Sequence, residues 1–274
     1  MKLLSWLRRK SSQPLPESQL PERNLSYKCS VIQGIGTRER QEDAWALINA
    51  DDVSMIRKEG LLAVVSDGMG GMANGVQASQ TAIQAITGDF KKMNRSTSLE
   101  KQLTESVKHA SCAVYEKLLG SGGSTVVACI VYDQQLYYAG MGDSYLFLLR
   151  QGKLIRINRE HNVLHQRYLE MIRQGDMDIA GIAGIHQPNA VTDFLGLNGG
   201  GDVDRLVRPM PLLNEDVLLL CSDGIGGVLL PSEICTCIGQ EDVNSAASAL
   251  QKMLLAKKCS NQDNYTAVII RCQK

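Results

Sequence analysis

Two stretches of this chain follow one pattern: an apolar run, then Ser-Asp-Gly, one apolar residue and Gly-Gly. They are AVVSDGMGG at 63–71 and LLLCSDGIGG at 218–227. An unbroken apolar run of this length, bounded by a turn signal, reads as a strand buried on both faces. Each run therefore needs cover on two sides, and its end must lie at the edge of a core. Asp67 and Asp223 stand at those ends, where glycine lets the backbone turn or approach a neighbour closely. Singly, an Asp-Gly pair is among the commonest turns and needs no function.

Further carboxylates sit at similar places. Asp143 ends a strand-like run in GMGDS, Asp263 precedes one in QDNYTAVII, and Glu42-Asp43 lie in RERQEDAW. Carboxylates gathered in one buried place raise one another's pKa, and desolvation adds to the cost, so a cation is the natural counter-charge. All-oxygen ligands favour magnesium or manganese over zinc. The four histidines do not read as ligands: His109 lies in a helical segment, His161 and His165 lack the H-E-x-x-H order, and His186 is isolated. Most of the eight cysteines fall inside apolar runs, where a reduced thiol behaves as a small hydrophobe. Cys235 and Cys237 have no second pair to complete a zinc site.

Residues 1–23 differ from the rest. Three prolines interrupt a polar stretch with five basic and two acidic residues, which reads as a flexible basic arm. Its apolar start precedes the charges and is too brief for a secretory signal. Residues 24–274 read as one domain. Apolar residues at Leu99, Leu103, Val107, Ala110, Val114 and Leu118 predict a helix over about 98–119 that Gly120 stops. Helices are also expected at 74–90, 162–174 and 242–257. The runs from 124 to 157, joined at Asp133-Gln134 and Gln151-Gly152, predict an antiparallel meander. Strands in runs and helices in blocks indicate an α+β layered fold. Lysine plus arginine equal aspartate plus glutamate at 29 each, which gives no support for bulk nucleic-acid binding. No apolar run approaches the roughly 20 residues of a membrane span. Neither an EF-hand nor a nucleotide-binding glycine fingerprint is present.

The ordered motifs resemble those of metal-dependent protein serine/threonine phosphatases of type 2C, in their bacterial form. The resemblance rests on Arg38 with Glu42-Asp43, SDGMGG at 66–71, GDS at 142–144, SDG at 222–224 and D-N-x-T at 263–266, in the family order. It implies a four-layer α-β-β-α sandwich, two packed antiparallel sheets flanked by helices. It also implies that Asp67 bridges two Mn2+ or Mg2+ ions and that the Gly68 carbonyl ligates one. Asp223 and Asp263 would hold the other, with Glu42 and Asp43 acting partly through water. Asp143 with Asp223 matches a third, weaker metal position. Arg38 would grip the substrate phosphate with its planar fork. Asn264 and Thr266 would support the carboxylates. The chemistry implied is direct attack of a water, activated between two metals about 3.5–4 Å apart, on a phosphoserine or phosphothreonine.

The chain departs from the family pattern in places. Gln41 replaces a frequent asparagine, Tyr145 a frequent arginine, and Met69 a histidine common in eukaryotic members, which leaves leaving-group protonation to water. Residues 160–200 fall where relatives carry a mobile flap, with Asp193 in place of a basic residue and Asp176 and Asp178 as spare carboxylates. The rival readings are a catalytically silent phosphatase-like binding module and a hydrolase of small phosphoesters. Phosphoproteins made by a serine/threonine kinase are the expected partners, a monomer the expected state and the cytoplasm the expected location.

Overall fold

The computed structural model describes residues 25–69, 73–175, 182 and 184–274. The predicted arm at 1–23, Gly70, Gly71, Asp176 and Asp178 lie outside them. Two antiparallel sheets face each other. One has the order β1 (Ser26–Gly34), β13 (Tyr265–Gln273), β12 (Val217–Cys221), β8 (Tyr145–Arg150) and β9 (Lys153–Arg156). The other runs β10 (Asp204–Arg205), β7 (Gln135–Met141), β6 (Val126–Tyr132), β3 (Leu61–Ser66) and β2 (Ala44–Ile48), with β11 (Met210–Pro211) also on β7. A short helix, α1 (Val53–Glu59), links β2 to β3. A short ladder joins β4 (Gly68–Met69) to β5 (Gly123–Ser124).

Period-two alternation sorts the apolar side chains into three cores. Between the sheets lie Leu61, Ala63 and Val65 of β3 with Leu218 and Leu220 of β12 and Val268 and Ile270 of β13. The opposite face of β3, Leu62 and Val64, packs on α2 (Ala73–Phe90) and α3 (Leu99–Leu118). The opposite face of β12, Val217, Leu219 and Cys221, packs under two further helices, Pro231–Ile238 and Val243–Ala256. Both apolar runs are therefore covered on two sides, as their composition requires, and the layers are helix, sheet, sheet, helix. All six residues of the predicted α3 stripe are buried. Ser98 caps that helix by accepting from the Lys101 N–H.

The meander expected over 124–157 is not continuous. Its first turn, Asp133-Gln134, and its second, Gln151-Gly152, both have positive φ at the two central residues, the twist that suits a tight hairpin. The hairpins they close belong to different sheets: β6–β7 to one, β8–β9 to the other. Between them Gly142, at φ 108°, carries the chain across the sandwich. A Cβ there would stand 2.6 Å from the Thr125 Cβ. The crossing puts Asp143 at the sheet ends rather than in a turn on one sheet.

Candidate active site

The strands β3 and β12 stop at the same end of the sandwich, and a cavity of about 800 Å³ opens there. Its lining includes Arg38, Glu42, Asp67, Asp143, Asp223 and Asp263. Carboxylates separated by up to 221 positions in the chain thus meet in one place. Asp43 lies behind them, 5% exposed, and its Oδ2 accepts from Ser222 Oγ at 2.8 Å.

Each acidic residue is held by a local device. Beneath Asp67 a row of hydroxyls fixes the backbone. Ser124 Oγ donates to the Asp67 carbonyl at 2.7 Å, the Thr125 N–H donates to the same carbonyl, and the Asp67 N–H donates to Thr125 Oγ1. Asp223 begins a single helical turn, Asp223–Gly226, directly after β12. Gly224 lies so close to the loop that leads into β13 that a Cβ would stand 1.9 Å from the Asn264 carbonyl oxygen. Gly68 is equally confined, with the Gly75 carbonyl oxygen 2.2 Å from a Cβ built there. Glu42 rests against Gly75, whose added Cβ would meet Glu42 Oε2 at 2.5 Å.

Asn264 organises the loop before β2. Its Nδ2 donates to the carbonyls of Ile35 and Arg40, and its Oδ1 accepts from the Glu42 N–H. Gln41 spans the same loop: Nε2 donates to the Gly34 carbonyl and Oε1 accepts from the Asp43 N–H. Gln33 Nε2 joins the Asp43 carbonyl to Thr266 Oγ1. The amide-bearing and hydroxyl positions named from sequence thus act as supports. Arg38 is not free in the cavity, because its Nη2 lies 2.6 Å from Asp263 Oδ2.

Electrostatically the site holds more negative charge than its surroundings neutralise. Burial raises Asp67 well above the usual carboxylate range, and Asp43, Asp223 and Asp143 add to it. Asp143 is pushed up to about 7 by burial and by Asp223, and Asp43 up to about 6, chiefly by burial. Asp223 is also raised, by burial first, while its contact with Asp67 holds it back. One oxygen each of Asp43 and Asp223 is buried without a hydrogen-bond partner. Orphaned acceptors and mutually repelling carboxylates of oxygen donors alone fit hard divalent cations. Among the described residues, no three His, Cys, Asp or Glu side chains already close round a single point.

Several contacts escape a reading of the sequence. His161 is buried; its Nδ1 accepts from the Gly142 N–H at 3.0 Å, and its backbone bonds to Gly142 and Thr192. It ties the segment beside the cavity to the crossing that carries Asp143. Tyr145 stacks on Phe147, and Arg156 lies 4.0 Å over its ring. Its ring also fills the space where a Gly226 Cβ would be. Asp193 braces its own loop, with Oδ1 accepting from the Asp202 N–H and Oδ2 from Thr192 Oγ1. The sequence marks His161, Tyr145 and Asp193 as single residues but names no partner for any of them.

Residues 35–257 match the family model described as Protein phosphatase 2C. The chain is 28% identical over 222 residues to the serine/threonine phosphatase stp of Listeria welshimeri, covering 76% of this chain and 83% of that protein. The serine/threonine phosphatase of S. agalactiae superposes with a TM-score of 0.74 at 22% identity, covering 89% of this chain and 99% of that one. The catalytic domain of the phosphatase PstP, solved with two manganese ions, gives 0.71 at 22% identity, with 92% and 100% covered. At these identities the superpositions speak for the fold. Among the described residues no helix is long and apolar enough to cross a membrane.

Proposed function

This chain belongs to the protein phosphatase 2C family, and from that premise we propose that it hydrolyses phosphoserine and phosphothreonine on proteins. The observation that carries the reading is the convergence of Asp67, Asp143, Asp223 and Asp263, from four separate strand ends, on one cavity. In this reading Asp67 and the Gly68 carbonyl, with Asp223 and Asp263, hold two Mn2+ or Mg2+ ions, and Asp143 with Asp223 serves a third. Bound there, the ions supply an activated water at neutral pH and charge neutralisation at the phosphoryl oxygens.

The chain's own residues do the rest. Glu42 and Asp43 orient water and are themselves fixed by Asn264 and Ser222. Arg38 holds the phosphate oxygens through its fork. Its guanidinium sits on Asp263, so Arg38 would exchange that carboxylate for the phosphate oxygens when the substrate is held. An oxygen–phosphorus bond to water forms as the bond to the seryl or threonyl oxygen breaks. Met69 follows Gly68 and has no proton to give, so water protonates the departing oxygen. Residues 24–274 form the catalytic unit, and residues 1–23 an accessory arm. A monomer acting in the cytoplasm on the products of a serine/threonine kinase completes the reading.

The test is hydrolysis of a phosphothreonine peptide by purified protein with manganese, magnesium, zinc or chelator, beside Asp223→Asn. Turnover that needs manganese or magnesium and collapses in the variant supports the reading. Folded protein that binds manganese yet turns nothing over would instead make it a silent binding module.

A further inference from the structure

The phosphatase reading, on which the role of Arg40 rests, leaves open which phosphoproteins the site prefers. Among the described residues two arginines line the cavity, Arg38 and Arg40. Arg38 is engaged by Asp263 and is assigned to the reacting phosphate. Arg40 is exposed, and among the described residues its guanidinium has no carboxylate, hydrogen-bond or aromatic partner.

Its backbone, by contrast, is fixed. The Arg40 carbonyl accepts from Asn264 Nδ2 at 2.9 Å, and the nearby Glu42 N–H donates to Asn264 Oδ1 at 2.7 Å. Thr37 donates to the Gln262 carbonyl through both its N–H, at 2.8 Å, and its Oγ1, at 3.0 Å. The loop that presents both arginines is therefore tied to the turn carrying Asp263. Among the described residues nothing uses the Arg40 charge, although acidic groups line the same cavity. Glu39, between the two arginines, also lines it.

We propose that Arg40 reads a second anionic group on the substrate, a carboxylate or another phosphate, close in sequence to the phosphorylated residue. Alpha carbons two residues apart lie at most about 7 Å from each other. An extended peptide advances about 3.3 Å per residue. With Arg38 on the reacting phosphate, the second anion falls within about three residues of it. A guanidinium takes either anion through paired N–H groups. Exposure limits the preference to about three- to tenfold in KM, and salt weakens it.

The experiment uses three phosphothreonine peptides: one with neutral flanks, one with an aspartate two residues away, and one with a phosphoserine there. KM and kcat are measured for the wild type, Arg40→Ala, Arg40→Lys and Glu39→Gln at low and high salt, with peptide affinity by fluorescence anisotropy. Arg40→Ala raises KM about three- to tenfold for the two anionic peptides, leaves the neutral one unchanged and leaves kcat alone. Arg40→Lys keeps part of the preference, Glu39→Gln shifts it in the opposite direction, and high salt closes the gap. A loss confined to the phosphoserine peptide identifies phosphate as the group read; a loss on both identifies any anion. If Arg40→Ala and wild type treat all three peptides alike, the inference is wrong and the phosphatase reading stands. If no peptide is turned over, the phosphatase reading fails, and anisotropy still decides: unchanged affinity for the anionic peptides in Arg40→Ala overturns the role of Arg40.

Discussion

The two Ser-Asp-Gly segments start from the same residues and end in different structures. After Asp67 the chain stays extended, and Gly68-Met69 pair with Gly123-Ser124. After Ser222 it coils into one helical turn that begins at Asp223. In both, the glycine is demanded by close approach of a neighbouring backbone and not by a positive φ. The neighbour decides the outcome: Gly75 at the start of α2 flanks the first, the Asn264 carbonyl before β13 flanks the second. What the shared tripeptide specifies is a carboxylate at the end of a doubly covered strand. Because β3 and β12 belong to facing sheets, the two aspartates meet across the mouth of the sandwich.

Their environments differ in degree, and that difference can be tested. Asp67 faces three other carboxylates, whereas Asp223 has its N-terminal helical turn and Arg38 to relieve it. Asp67→Asn and Asp223→Asn should each lower kcat by about 10²-fold or more, on the order of 3 kcal/mol, in a manganese-supported peptide assay. Asp67→Asn should also raise the melting temperature of the metal-free protein more than Asp223→Asn does. Equal gains in both variants would break the comparison. The glycines come next. Gly224→Ala and Gly68→Ala each drive a Cβ into backbone, at 1.9 Å and 2.2 Å, and should cost about 2–3 kcal/mol in denaturant unfolding. A change below about 0.5 kcal/mol would show that the neighbouring turn yields.

A further effect concerns pH. Asp43 and Asp143 bind protons more tightly folded than unfolded, with folded values of about 6 and about 7. Their contribution is fully present below about pH 4 and is lost as pH rises through 6 and 7. The metal-free protein should therefore lose up to about 4 kcal/mol between pH 5 and 8. Saturating manganese should reverse that slope, since metal binds the deprotonated forms. The smallest change is expected at Arg38. Its pair with Asp263 is exposed, at 58% and 38%, so Arg38→Ala should alter stability by about 0.5 kcal/mol or less while raising KM.

Much of this is legible in the chain. The runs at 61–66 and 217–221 declare two-sided burial, and the Leu99-to-Leu118 spacing declares one helix face. Asp-Gly after an apolar run locates a carboxylate at a core edge. The sequence does not tell which sheet a strand joins: β7 and β8 are separated by three residues, yet the chain changes sheets there. That choice depends on Thr125, Ser144 and Asn158, which bond across the crossing from distant positions. The same holds for the contact of Glu42 with Gly75 and of His161 with Gly142. Local pattern reports periodicity and turn chemistry, whereas these contacts follow from long-range packing.

The central claim is that the two strand-end aspartates hold divalent metal together. Calorimetric titration of manganese into the wild type, Asp67→Asn and Asp223→Asn near pH 7, in buffers of different ionisation enthalpy, tests it directly. The account predicts tight binding with net proton release in the wild type, reflecting the raised carboxylates, and loss of that binding in both variants. Manganese binding that persists unchanged in either variant, or that releases no protons, would contradict it.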